Sequence, residues 1–232
     1  MTKQHKYDVL VGSGSTDTFI SEKVHRKVMT ANAAITRINN EASVDIHWCL
    51  SGSFFMSDEE IIAQPNVNGK TASESLMLRK AKIESVKGKF CHYLYVNTDK
   101  ANNDVKSELD KLEICYDNLT VFSRRQRSFK LLTGMYLKHA QIRFEMNNKV
   151  SPYRYVRSLI TANIPSSVKP STGACAALYA ADKNNDTLLC DGMTFSATER
   201  FAYFSGFKYQ HLATSHLLDL QYLQSIYKRV NY

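Results

Sequence analysis

Three places in the chain bring together residue types that can hold a charged ligand or move a proton. The first is Gly12-Ser13-Gly14. Glycines between a strand and a helix let a phosphate or ribose approach the backbone, and a helix amino terminus favours negative charge. The second is Pro170-Ser171-Thr172-Gly173, directly before a run of small residues. Pro170 pre-shapes the entry, Ser171 or Thr172 can cap a helix, and the exposed N–H groups and hydroxyls form a cradle for ribose or phosphate. The third is His211 with His216. A neutral imidazole beside a nucleotide pocket suits a general base. Two histidines could also ligate a metal, but their spacing is poor for one helix face and no third ligand is evident. Each place also has an ordinary reading: a glycine turn, a well-capped helix, a packed imidazole.

The elements that must position these residues follow from periodicity. Tyr7–Val11 reads as a buried strand ending in Gly12. Phe19, Ile20, Val24 and Val28 fall at helical spacing, so a helix is expected after the glycine turn. Ala33–Ile38 and Val44–Leu50 read as the second and third strands. Ser57-Asp58-Glu59-Glu60 fits a capping box. Ser73–Val86 and Asn103–Leu112 read as helices, and Cys91–Val96 and Leu119–Phe122 as strands. Ser128–Met146 reads as a long helix. Thr172–Ala181 reads as a helix of small residues, Thr187–Cys190 as a strand ending in Asp191-Gly192, and Ser215–Lys228 as the last helix. This alternation predicts an α/β fold, with a Rossmann-like, mostly parallel sheet flanked by helices. No repeat or long linker divides the chain, so a single domain over 1–232 is expected. Its nucleotide-binding segments would be 7–50 and 164–195. Ligands in such sheets bind beyond the carboxyl ends of the strands, near the point where strand order reverses. That directs attention to the loops after Val11, Ile38 and Leu189.

Composition narrows the function classes. The chain has 232 residues, 44% of them hydrophobic, with only 9 Gly and 4 Pro, which excludes a disordered or collagenous protein. No apolar run is long enough for a transmembrane helix, and the first residues lack a signal-peptide core, so a cytoplasmic protein is expected. Cys49, Cys91, Cys115, Cys175 and Cys190 are widely spaced and contain no CxxC, which favours buried free thiols over zinc or a disulfide framework. The Asn-x-Thr triplets at Asn118 and Asn185 are read as chance. Formal net charge is +8. Arg124, Arg125, Arg127 and Lys130 form one basic cluster beside Phe122 and Phe129. It suits an anionic membrane surface, an anionic glycan or RNA, and equally the solvated start of a helix. No nucleic-acid motif accompanies it, and no nucleic-acid partner is expected. The glycine turn departs from a dinucleotide fingerprint, because Asp17 stands where the third glycine belongs. Arg37, in place of an acid at the end of the second strand, leaves NADP open more than NAD.

Taken together, these segments resemble a sialyltransferase. Lys169-Pro170-Ser171-Thr172-Gly173-Ala174-Cys175-Ala176-Ala177-Leu178-Tyr179-Ala180, followed by Leu188-Leu189-Cys190-Asp191-Gly192-Met193-Thr194-Phe195, resembles the small sialyl motif. Val11-Gly12-Ser13-Gly14-Ser15, followed by Ile35-Thr36-Arg37-Ile38-Asn39, is similar to the large motif, a glycine turn and then a strand ending in Arg-x-Asn. Order and spacing are similar to both the animal-type and the bacterial family-42 sialyltransferases, over about a third of the chain. The stretch from Leu50 to Asn163 carries no resemblance.

The resemblance implies a single-domain GT-A-like variant and a CMP-sugar donor. It implies Gly12, Ser13 and Gly14 beside the phosphate or ribose, and Asn39 on the nucleotide. Ser171, Thr172 and Gly173 would cradle ribose and cytosine, and Gly192 and Phe195 would line the base pocket. The family's general base, a histidine shortly before the last helix, falls on His211, with His216 as the alternative. Tyr203 and Tyr209 are the candidate phenols for the leaving phosphate. No metal is implied. Transfer would invert the sugar, passing sialic acid or a related 2-keto sugar acid such as Kdo to a glycan or glycolipid acceptor, as in bacterial lipopolysaccharide or capsule assembly. The basic cluster would then hold the enzyme at the inner face of the membrane. This chain departs from the pattern in two respects. Only Ser196 to Gln210 separates Phe195 from His211, a short lid, and Ser196 stands where a tyrosine often follows the aromatic. The animal-type disulfide would fall on Cys49 and Cys175. Two alternatives remain: a nucleotide-binding protein without transfer activity, and an NADP-linked enzyme on the same scaffold.

Overall fold

Seven strands pair side by side in one all-parallel sheet, in the order β5-β4-β3-β2-β1-β6-β9. They are β1 (Tyr7–Val11), β2 (His25–Ala31), β3 (Asp45–Leu50), β4 (Phe90–Asn97), β5 (Cys115–Phe122), β6 (Thr187–Asp191) and β9 (Arg229–Asn231). A separate antiparallel hairpin is formed by β7 (Phe201–Phe204) and β8 (Phe207–Gln210). The helices are α1 (Asp58–Ile62), α2 (Ala72–Val86), α3 (Asn102–Lys111), α4 (Arg124–Leu131), α5 (Thr172–Ala180) and α6 (His216–Ile226). The structure is a computed structural model and describes residues 7–13, 25–38, 44–63, 71–131, 170–182, 186–193, 195, 201–204, 207–210 and 216–232.

The chain steps outward from β1 through β2, β3 and β4 to β5, then returns to the other side of β1 for β6 and β9. Strand order therefore reverses between β1 and β6. Both faces of the sheet are covered, which is why its strands read as near-continuous apolar runs. On one face Leu10, Met29, Cys49 and Tyr95 meet α5 and α6. On the other, Ile46, Trp48, Leu50 and Leu94 meet Val86 of α2 and Val105 and Leu109 of α3. Residues Ala174 to Ala180 of α5 are all buried, as expected for a helix that is apolar all round. Each large aliphatic side chain so buried contributes about 1.5–3 kcal/mol.

Helix starts follow local rules. Ser57 and Glu60 form the expected capping box on α1, and Thr71 and Glu74 form another on α2. Arg79 of α2 ties the two helices, donating to Asp58 at 2.8 Å and to the Met56 carbonyl.

Two expected elements are corrected. Val28 lies within β2 rather than on a helix, paired with Val9 and Ile46 in the middle of the sheet. Ala33–Ile38 is not a strand; Asn32–Arg37 forms a 3-10 turn. Asn32 has φ +49, so the strand ends there. Its carbonyl accepts from Trp48 Nε1 at 2.9 Å and its side-chain oxygen from Ser51 N at 2.9 Å. These two bonds, made by residues of another strand and loop, hold the reversal. Of the helix expected over Ser128–Met146, α4 carries the start, and positions 132–146 lie outside the described residues. The short strand β9 and the β7–β8 hairpin have no counterpart in the sequence reading; the hairpin falls inside the expected lid.

Candidate functional site at the strand-order reversal

Adjacent strands β1 and β6 end side by side, with Val11 opposite Asp191. Gly12 N donates to the Asp191 carbonyl at 2.7 Å. Gly192 turns the chain with φ +65, a conformation that favours glycine. The two loops meet so closely that a Cβ on Gly12 would lie 2.3 Å from the Gly192 carbonyl oxygen and 2.9 Å from Met193 Sδ. No side chain fits there. Gly12→Ala is therefore expected to lower stability by about 1–3 kcal/mol through overpacking of backbone on backbone. Gly173→Ala, whose Cβ would meet Met193 Sδ and Cε at an ordinary 3.5 Å, is expected to leave stability unchanged or raise it. Thermal unfolding of both variants checks the contrast; equal melting points would count against the contact.

Met193 joins the second segment to the first, since it lies beside both Gly12 and Gly173. Ser171 caps α5, its hydroxyl accepting from Ala174 N at 3.2 Å. Ser171 N in turn donates to Asp219 Oδ1 at 2.9 Å. Asp219 comes from the first turn of α6 and is fully buried. It ties the Ser171 loop to the last helix. Sequence reading missed it; the available signal was one carboxylate in an otherwise apolar helix start.

Arg37 closes the other side. Its guanidinium donates to the Gly12 carbonyl at 2.6 Å and approaches the buried Asp191 carboxylate at 3.4 Å. It thus braces the glycine turn, which removes the sequence-level reason for a 2′-phosphate there. The residue at the carboxyl end of β2 is Asn32, whereas Asn39 lies outside the described residues. The Asn32 amide nitrogen makes no hydrogen bond among the described residues. The sequence reading missed the turn at Asn32, which is held by Trp48 and Ser51, partners distant in sequence.

No protein-family model, no curated protein and no solved structure matches the chain.

A second polar group stands at the carboxyl ends of β3 and β4. Tyr179 OH donates to Asn97 Oδ1 at 2.8 Å, and Asn97 Nδ2 to Cys49 Sγ at 3.3 Å. Cys49 and Cys175 are both buried and both free, so the disulfide implied by the resemblance is absent. Burial pushes the Cys49 thiol well up and the Cys175 thiol up to about 12. Neither supplies a thiolate nucleophile at neutral pH.

The remaining expected residues divide. Gly12, Ser13, Ser171, Thr172, Gly173 and Gly192 lie on loops or helix starts along one edge of the sheet. Phe195 meets Tyr232 edge-on, 5.1 Å between ring centres, and lies against the core under α5 and α6. In the hairpin Tyr203 pairs with Lys208 and Tyr209 with Ala202, so the two tyrosine positions fall on opposite faces. His216 opens α6; His211 and Gly14 lie outside the described residues. Strand β7 lies against the Asn32–Arg37 turn, which puts the hairpin at the rim of the glycine crevice. Among the described residues no group of three or more His, Cys, Asp or Glu could hold a metal ion, and no helix is long and apolar enough to cross a membrane.

Proposed function

We propose that this protein is an inverting glycosyltransferase that takes a 2-keto sugar acid, sialic acid or Kdo, from its CMP-activated donor. One observation carries the reading. Gly12, Gly173 and Gly192, from segments more than a hundred and fifty residues apart in the chain, converge around Met193 where strand order reverses. They belong to the two segments that resemble the large and small sialyl motifs. The place suits a nucleotide because two glycine loops and a capped helix start come together at the carboxyl edge of a parallel sheet. The 3-10 turn departs from the large-motif strand, and in this reading Asn32 takes the nucleotide contact first assigned to Asn39. The transfer needs a base for the acceptor hydroxyl, and His211 or His216 fills that role. CMP leaves as the anomeric carbon becomes oxocarbenium-like, its phosphate stabilised by fixed N–H and hydroxyl donors. The acceptor is a glycan or glycolipid, and Arg124, Arg125, Arg127 and Lys130 suit contact with an anionic membrane.

Calorimetry tests the reading. CMP is expected to bind in preference to AMP, UMP and NADPH, and Thr172→Trp, which fills the mouth of α5, is expected to abolish binding. CMP-sialic acid and CMP-Kdo should then be hydrolysed slowly by the wild type and not by His211→Ala. No CMP binding at millimolar ligand would sink the proposal.

A further inference from the structure

Ser171 is held from two sides. Its hydroxyl accepts from Ala174 N at 3.2 Å, and its carbonyl accepts from Cys175 N at 2.9 Å. Both bonds fix the start of its own helix. Its N–H instead donates across to α6, reaching Asp219 Oδ1 at 2.9 Å. Asp219 is fully buried and stands among Leu217, Leu218 and Leu220 in the sequence. A carboxylate is costly to bury unless it is hydrogen-bonded. Here it also lies in the first turn of α6, where the helix dipole favours an anion. The other end of α6 is fixed differently. Tyr222, Leu223 and Tyr227 pack into the core with α5, and β9, which follows, pairs with β6. Packing and sheet pairing thus hold the carboxyl half of α6, while its first turn is tied to α5 through Asp219. His216 opens that turn, three residues before Asp219. Residues three apart are neighbours along a helix. His211 lies five residues further back, in the chain that leads into α6. On the other side, Gly173 follows Ser171 closely, and its neighbour Met193 also lies beside Gly12. A continuous set of contacts therefore runs from the glycine loops through Ser171 and Asp219 to the helix start that carries or follows the candidate base.

We propose that Asp219 is a positioning residue that fixes the amino end of α6, and with it the general base, against the nucleotide cradle at Ser171. This rests on the CMP-sugar reading and adds the group that aligns base and donor. Asp219 touches neither ligand nor reacting atoms. It acts through the Ser171 N–H on one helix and through the first turn of the other. Its loss therefore loosens the alignment on which transfer depends more than it weakens the nucleotide contacts made by the glycine loops.

Hydrolysis of CMP-sialic acid, with CMP affinity measured by calorimetry, separates the two effects. Asp219→Ala is expected to lower kcat by about tenfold to a hundredfold, the scale of a misplaced catalytic group, and to weaken CMP by less than about threefold. Asp219→Asn keeps an oxygen for the Ser171 N–H and should hold kcat within about threefold of the wild type. Ser225→Ala, which removes a hydroxyl bonded within α6 to the Tyr222 carbonyl, should change neither quantity. Far-ultraviolet circular dichroism of each variant verifies folding. If Asp219→Ala does not fold, Asp219→Asn decides alone, and a loss in kcat beyond about tenfold there would overturn the role. Equal losses in kcat and CMP affinity for Asp219→Ala, or no loss in kcat, would overturn it too, leaving the CMP-sugar reading in place. Failure of the wild type to bind CMP would overturn both.

Discussion

Asp8→Ala is expected to destabilise the protein by about 3–5 kcal/mol, the range for removing one partner of a buried ion pair. Asp8 is 2% exposed, on β1 at the end of the sheet opposite the glycine crevice. Arg26 donates to both its oxygens, at 2.7 and 2.6 Å. The buried Lys27 lies 3.5 Å away and also donates to the Ala180 carbonyl at 2.5 Å. There it meets the negative end of the α5 dipole. Asp182, just past α5, bridges to both cations at 3.0 and 3.1 Å. Two acids and two bases thus balance where β1, β2 and α5 meet. Removing Asp8 leaves Lys27 buried with one half-exposed acid. Urea unfolding should show a midpoint lower by roughly 1.5–2.5 M at an ordinary m-value of about 2 kcal/mol/M. Asp182→Ala, at the solvent-exposed side of the network, should cost about 1 kcal/mol or less. Asp8→Leu combined with Lys27→Met should recover much of the loss, because an apolar pair needs no compensation. A loss below 1 kcal/mol for Asp8→Ala would show that the network is solvated in solution.

Acid should weaken the fold through His47. Its ring stacks on Tyr93, 4.5 Å between centres and 7° apart, and its Nδ1 lies 3.0 Å from the Tyr95 hydroxyl. Burial, and then the charge of Lys27, holds its pKa down at about 4 against 6.5 in the unfolded chain; Asp45 and Asp8 pull upward and His92 downward. Between those values the unfolded chain binds a proton that the folded chain refuses. Stability therefore rises with pH across this window and is lost as pH falls from about 6.5 to about 4. The full contribution is about 3 kcal/mol at 1.36 kcal/mol per pKa unit. Urea unfolding at pH 7, 5.5 and 4.5 measures it. His47→Gln, which keeps a hydrogen-bonding side chain and cannot titrate, should flatten this part of the profile. If wild type and variant lose stability in parallel, the slope belongs to other groups.

The proposed nucleotide site and the Asp8 ion-pair network lie at opposite ends of the same strands. The glycine loops stand at the carboxyl ends of β1 and β6, and the Asp8 network at the other end of β1. Substitutions in the network should therefore lower unfolding midpoints without changing ligand preference, while Thr172→Trp should do the reverse.

The sequence by itself determined the elements whose signals are local. Tyr7–Val11 is an apolar run stopped by glycine, Ser57 and Glu60 cap reciprocally, and Ser171 precedes a helix of small residues. Alternation of such elements was enough for a parallel α/β sheet, and the glycines marked where its strands end. Only the tertiary structure decided β2 and the turn after it. Arg26 and Lys27 look like an exposed helix surface until Asp8 and Asp182, from two other segments, neutralise them inside the fold. Asn32 reverses the chain because Trp48 and Ser51 satisfy its oxygens, and neither lies near it in sequence. Asp219 likewise means nothing in α6 alone; it gains a role when Ser171 N turns to it. A charge or carbonyl is stabilised by whichever groups surround it after folding, so its conformation is decided by partners that local sequence does not contain.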